Sequence, residues 1–342
     1  MSAATYSGSA QMSSGRPDSD RIPGRAAARS GTSVAAQTSS VRIGSIGGSQ
    51  RRGLSENHES AGKWWRVVGW RHVVGILAVI YAAFPILYVL SAALNPSTRT
   101  TLNSANSMFS AFSLSNFQAL GQDTMFWTWF GNTLEIGIIT SIASTLMATT
   151  AAYAFSRYRF AGRKGGLLAL LVVQMFPQLL AFIAIFLLLN QLGQVVPILG
   201  LDSKLSLICV YLGGALGANT FLLYGTFNSI PRELDEAAKI DGATHAQVFW
   251  TIVMPLVVPM LAVVALLSFI GAFNDYVIAS TVLTSQDNWT LAIGMQNWVG
   301  GNEKQWGWFT AGAVIAAIPI LLLFLFLQRY IVAGLTGGSV KG

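Results

Sequence analysis

Residues 229–245 read Ser-Ile-Pro-Arg-Glu-Leu-Asp-Glu-Ala-Ala-Lys-Ile-Asp-Gly-Ala-Thr-His, a charged island between two long apolar runs at 205–228 and 252–274. Pro231 suits the first turn of a helix, where its missing N–H is no loss, and Glu233, Asp235 and Glu236 follow near the positive end of the helix dipole. Leu234, Ala237 and Ala238 recur at helical spacing and predict a narrow face of small apolar residues that another surface can approach closely. Gly242 should end the helix, because glycine enters the left-handed conformation without a Cβ clash. A second short amphipathic stretch from Ala243 leads into the next apolar run. The island therefore reads as a compact helix–turn–helix, not a tether.

The runs on either side are typical of the chain. It has 342 residues, 53% of them apolar and only 10% charged, whereas a soluble domain carries about 25% charged residues. This composition excludes a soluble enzyme, a disordered protein and a nucleic-acid-binding domain, in spite of a net charge of +7. The single cysteine, Cys209, permits no intramolecular disulfide and no cysteine cluster for zinc or iron–sulfur. Crossing about 30 Å of hydrocarbon takes roughly 20 apolar residues of helix. Six runs qualify, at 73–94, 132–155, 167–189, 205–228, 252–274 and 309–331. The predicted fold is an all-α integral membrane protein with six transmembrane helices, the island lying between the fourth and fifth. Lys63-Trp64-Trp65-Arg66 and Trp70-Arg71 precede the first run as interfacial anchors. That run is too long, and too far from the N-terminus, for a signal peptide.

Residues 1–62 are rich in Ser, Gly, Ala and Arg and nearly free of large apolar side chains. They cannot bury a core and read as a disordered cytosolic tail ahead of a membrane domain at 63–342. Asp18, Asp20, Glu56 and Glu59 weigh against the alternative of an organellar transit peptide. Ten of the 21 Lys and Arg lie at the N-terminal side, through Arg71, and the 156–166 connection holds Arg157, Arg159, Arg163 and Lys164. By the positive-inside rule both face the cytosol, and the two termini with them. The connections 95–131, 190–204 and 275–308 carry only Arg99, Lys204 and Lys304 and face outward. The 229–251 loop is cytosolic by parity, yet Arg232 and Lys239 are outnumbered by Glu233, Asp235, Glu236 and Asp241. A docking partner, more than the charge bias, is expected to shape it.

Glu236-Ala237-Ala238, then Gly242 after three intervening residues, then Ile252 and Pro255 resemble the cytoplasmic signature of membrane subunits of ABC importers, with Met254 in place of a leucine. Ile230-Pro231-x-Glu233-Leu234 and Asp241-Gly242-Ala243-Thr244 fit the same pattern. Further stretches resemble the carbohydrate-uptake branch, most closely the smaller permease subunit of maltose importers. They are Ala151 to Arg157 with Phe160-x-Gly162-Arg163, Gln174-Met175-Phe176-Pro177, Phe273-Asn274, Thr290 to Gln296, and Gly334 to Gly342. The resemblance covers roughly residues 70–342, and the long N-terminal tail departs from it.

The resemblance implies a permease subunit of an ATP-driven sugar importer in the cell membrane. Its partners would be a second related permease, two cytosolic ATPase subunits that bind ATP and Mg, and an extracytoplasmic sugar-binding protein. The loop would be a coupling helix docking on the ATPase through Glu236, Ala237, Ala238, Asp241 and Gly242. The tail residues Thr336, Gly337, Gly338 and Lys341 would reach the ATPase interface. A maltose-type substrate is implied, with trehalose or another α-glucoside as the alternative. A sugar path wants amides and aromatics in the bundle, which makes Gln174, Phe176, Gln178, Asn219, Asn274 and Tyr276 candidates. Amides also join helices to each other. Glu135 is the acidic residue inside a predicted span, near its outer end, where it can serve function or reach water. Gly213 and Gly217 read as a close-packing pair, and Trp289, Trp298, Trp306 and Trp308 as outer-loop contacts or an interfacial belt.

Two rival classes fit the sequence less well. A membrane hydrolase would want His-Glu-x-x-His or Gly-x-Ser-x-Gly, and the chain has neither, its histidines being scattered at His58, His72 and His245. An ion-coupled secondary transporter would want ionisable residues near the bilayer centre, and only Glu135 comes close. The chain also has no Gly-x-x-x-x-Gly-Lys-[Ser/Thr] phosphate loop, so an ATPase would have to act in trans, with no cofactor and no metal held by this chain.

Overall fold

The computed structural model describes residues 65–96, 112–301 and 304–337, with the backbone alone at 66, 67, 178, 179 and 332–337. The expected tail at 1–62 and the expected ATPase contacts at Gly338 and Lys341 fall outside the described residues. Every described element is helical. The elements are α1 (Trp70–Leu94), α2 (Ser115–Gln122), α3 (Phe126–Arg157), α4 (Arg163–Gln174), α5 (Gln178–Val195) and α6 (Lys204–Ser229). After them come α7 (Glu233–Ile240), α8 (His245–Asn274), α9 (Val277–Val282), α10 (Leu291–Gly300) and α11 (Trp306–Gly337).

Five helices, α1, α3, α6, α8 and the Trp306–Ile331 stretch of α11, are long and apolar enough to span a bilayer. The chain is thus a multi-pass membrane protein. The sixth expected span, 167–189, is not one helix but two: α4 stops at Gln174 and α5 starts at Gln178. Pro177 causes the break, since its ring disfavours helical geometry in the residue before it and it has no N–H to return to an earlier turn. Hydropathy alone does not register this, because Met175 and Phe176 are as apolar as a continuous span requires. Pro255 is handled differently, its helix continuing through a preceding π-helical turn at Val248–Val253.

The core is built where α3, α6 and α8 pack against one another, with α11 laid on α8 and α1 on α11. Near the loop end of α3 the buried residues include Tyr153, Phe227, Phe249 and Val253. At its other end Phe126, Trp129, Phe269, Phe273 and Trp298 pack together. A polar node crosses the middle: Asn219 Nδ2 donates to Ser144 Oγ at 2.8 Å and to Ser268 Oγ at 2.9 Å, tying the three helices. By contrast α1 leaves Ile76, Val79, Ile80 and Phe84 exposed among the described residues.

Candidate functional site

The 229–251 island forms the expected helix–turn–helix. Arg232 holds the N-cap position of α7 without a side-chain cap, its carbonyl accepting the first helical bond from Glu236 N–H at 3.1 Å, so Pro231 stands just ahead of the helix and not in its first turn. At the other end Gly242 has φ +86°. Ala243 N–H reaches Ala238 O at 2.9 Å and Gly242 N–H reaches Lys239 O at 3.1 Å, the paired bonds of a Schellman cap. Thr244 immediately opens α8 with a capping box: its Oγ1 accepts from Gln247 N–H at 3.3 Å and its own N–H donates to Gln247 Oε1 at 2.8 Å. Stop and start signals thus stand only two residues apart, which makes the turn stiff.

The face of α7 differs from the sequence reading. Ala238 is buried, but Leu234 and Ala237 point outward with Glu236, and Ile240 is 87% exposed. Asp235 turns inward in place of the apolar pair. Its Oδ2 lies 2.8 Å from Arg157 Nε in an ion pair whose side chains are only 10% and 6% exposed. The two meet as a charge contact and not as an aligned hydrogen bond, since neither Arg157 Nε nor Asp235 Oδ1 has a hydrogen-bond partner among the described residues. Both Arg157 η nitrogens donate to Ile230 O at 3.2 Å, and Arg232 Nη2 donates back to Ser156 O at 2.8 Å. Ser156 Oγ then bonds Asn228 Oδ1 at 2.9 Å. The end of α3 is therefore bolted to both sides of the α6–α7 corner. Arg157 and Asp235 are the residues that sequence reasoning missed in this role. Arg157 ends the 151–157 stretch and Asp235 lies in the charged island, yet spacing along the chain does not reveal a contact between separate helices.

The path candidates separate. Gln174 lies against Gly217, and with Phe176, Gly213 and Gly217 it lines a cavity of about 780 Å³ between α4, α5 and α6. Gly213 and Gly217 thus border open space and a side chain instead of a packed helix. Asn274 and Tyr276 line a different cavity of about 370 Å³. Asn219 is buried in the three-helix node, its amide nitrogen taken up by two serines. The Gln178 side chain is outside the described atoms. Glu135 meets Lys204 at 2.8 Å, both partly exposed. Thr336 and Gly337 form the last turn of α11.

The loops at the opposite end are also fastened. Asp202, at φ +62°, accepts from Thr284 and Ser285 N–H at 2.9 and 2.8 Å, from Ser285 Oγ at 2.6 Å and from Asn288 Nδ2 at 3.1 Å. Asn132 Nδ2 donates to Asp287 O and Trp289 O, and Trp129 Nε1 to Gln286 O. Burial alone would raise the Asp202 pKa, but the Ser285, Thr284 and Asn288 donors outweigh it and hold the carboxyl below its usual range.

A helical membrane bundle thus carries a stiff helix–turn–helix fastened to one end. Residues 142–337 match the family of binding-protein-dependent transport system inner membrane components, and the chain belongs to that family. It is 42% identical over 233 residues to the maltodextrin transport system permease protein MdxG of Bacillus subtilis, covering 68% of this chain and 82% of that one. It is 37% identical over 290 residues to the maltose/maltodextrin transport system permease protein MalG of Photorhabdus laumondii, covering 81% and 97%. The fold is shared with a bacterial ABC transporter involved in the import of alginate, an acidic polysaccharide, at TM-score 0.65 and 24% identity, covering 78% of this chain and 97% of that one.

Proposed function

We propose that this chain is a non-catalytic permease subunit of an ATP-driven importer of malto-oligosaccharides. It pairs with a second permease, two cytosolic ATPase subunits that bind ATP and Mg, and an extracytoplasmic sugar-binding protein. Both termini face the cytosol, as the Lys and Arg distribution favours, and α7 joins them by the parity of the spans. The observation that carries the reading is α7 itself: closed at its C-terminus by the Gly242 turn, anchored beneath by Asp235, and uncovered on top at Leu234, Glu236, Ala237 and Ile240. A helix so held can take a push without bending. Docked on an ATPase, it transmits ATP-driven closure through Arg157 into α3 and through Gly242 into α8, reorienting the bundle. Glu236 makes the charged contact, Ala237 lets the partner approach, and Ala238, Asp241 and Gly242 shape the helix and its turn. Residues 336–341 add a second contact to the ATPase, and Gln174, Phe176 and Gln178 border the path. Residues 1–62 are an appendage to this machinery.

Purification of the chain from its host in mild detergent tests the reading. The expected outcome is a co-purifying ATPase and second permease, with ATP hydrolysis stimulated by binding protein and maltodextrin. Stimulation by trehalose alone would transfer the substrate to the other α-glucosides. A chain that purifies alone under several mild conditions would refute the importer reading.

A further inference from the structure

Another cleft, of about 260 Å³, opens where the last turns of α3 meet the first turns of α8. Both helices belong to apolar spans, Phe126–Arg157 and His245–Asn274, so the cleft lies at the ends of spans, at headgroup depth. Tyr153 and Phe249 wall it with their rings 4.6 Å apart, and the exposed Tyr158 and His245 flank it with rings 6.4 Å apart. Ala154 and Ala246 are too small to fill the space between these walls. Tyr153 is only 8% exposed. Its hydroxyl, the Tyr158 hydroxyl and the His245 ring have no hydrogen-bond partner among the described residues, and polar groups this deep call for one. No acid lines the cleft. Arg159, the residue after Tyr158, is exposed and has no ion-pair partner among the described residues. Beyond the cleft, Ile139, Leu146 and Met147 are exposed on the face of α3 that carries Thr150 and Ala154, at spacings of three and four residues. Thr150 Oγ1 turns onto its own helix, donating to Leu146 O at 3.1 Å and Met147 O at 3.0 Å. The stripe that leads from the cleft into the span is therefore apolar.

We infer that this cleft holds the phosphodiester of an anionic phospholipid, one acyl chain of which runs along the Ile139–Met147 stripe. The hydroxyls of Tyr153 and Tyr158 and the His245 ring donate to phosphate oxygens, and Arg159 supplies the opposite charge at the rim. Arg159 and the lack of a lining acid favour a headgroup of net negative charge over one that carries an ammonium. A soluble anion would meet the same donors but would leave the stripe, and Trp250 at 56% exposure, uncovered. A general aromatic belt scatters its rings along the interface, whereas here three donors converge on one cleft. The bound lipid braces α3 against the start of α8. These are the two helices on which α7 is seated, through Arg157 and through the Gly242 turn. The site lies apart from the candidate path residues and does not depend on which sugar is carried.

The test uses the full chain, purified in mild detergent with the subunits that travel with it, and a phosphatidylglycerol carrying a photoreactive diazirine near the top of one acyl chain. Labelling should map by mass spectrometry to residues 139–158 and 245–250. Unlabelled phosphatidylglycerol should compete strongly, phosphatidylethanolamine weakly and inorganic phosphate not at all. Arg159→Gln, a change at an exposed position, should lower labelling about tenfold, the factor expected for one lost hydrogen bond to a charged group. Tyr153→Phe combined with Tyr158→Phe keeps both rings and should lower it at least as far. Phosphatidylglycerol should also raise the thermal midpoint of the native protein by more than that of either variant. Labelling spread over all the apolar helices, or unchanged in both variants, would reduce the cleft to part of an interfacial belt and overturn the site. Competition by inorganic phosphate would give the cleft to a soluble anion, and equal competition by phosphatidylethanolamine would remove the charge selection; either result overturns the proposal. Cross-links from another subunit to Trp250, with no lipid label in the cleft, would do the same.

Discussion

At the residue scale the Arg157–Asp235 pair is the most exposed to test, because a buried charge is tolerable only while its partner is present. Losing one member of such a pair costs about 3–5 kcal/mol, whereas replacing both by apolar groups is often near neutral. Arg157→Met should therefore lower the thermal midpoint of the purified protein and cut uptake at least tenfold. Arg157→Met combined with Asp235→Leu should restore most of the midpoint, and a double variant no more stable than the single would refute the ion-pair account. Gly242 is constrained by its backbone: at φ +86° a β-branched side chain is strained by about 1–3 kcal/mol. Gly242→Val should insert normally and lose uptake, while Gly242→Asn, a residue at ease in that region, should retain much of it. Equal uptake by the two variants would remove the conformational argument. Asp202 adds a pH dependence. Its folded pKa lies below the ordinary carboxylate value, so its contribution is complete above about pH 4 and is lost as the pH falls through the lower folded value. The thermal midpoint should drop between about pH 5 and pH 3 by more in the native chain than in Asp202→Asn.

At the element scale the polar node decides what Asn219 does. Its amide bridges α3, α6 and α8 through Ser144 and Ser268, and such interhelical bonds average about 0.6 kcal/mol and reach about 1.7. Asn219→Ala should lower the thermal midpoint by a few degrees without changing which sugars are carried. An altered sugar preference at unchanged stability would return Asn219 to the substrate path. The sequence showed this residue as an amide in a span and no more, since a serine-lined node and a sugar site ask for the same residue type. The α4–α5 break has the opposite history. Pro177 was visible, but whether a proline bends, breaks or is absorbed by a helix depends on what surrounds it. Pro85, Pro259 and Pro319 lie inside continuous helices, whereas Pro177 ends one.

At the scale of the whole molecule, deletion of residues 1–60 should leave uptake unaffected, measured at equal expression; a collapse of uptake would show that the tail belongs to the machinery. The sequence by itself determined the membrane class, five of the six spans, the helix–turn–helix at 229–251 and the family resemblance. These depend on composition, on hydrophobic run length and on caps, all of them properties of neighbours along the chain. Only the tertiary structure decided that α7 buries Asp235 and exposes Leu234 and Ala237, and that Arg157 reaches it from another helix. The same holds for the separation of the path candidates into two cavities and a packing node. A helical pattern fixes which residues share a face, but the direction of that face, and what meets it, is set by helices far away in sequence whose packing no local spacing encodes.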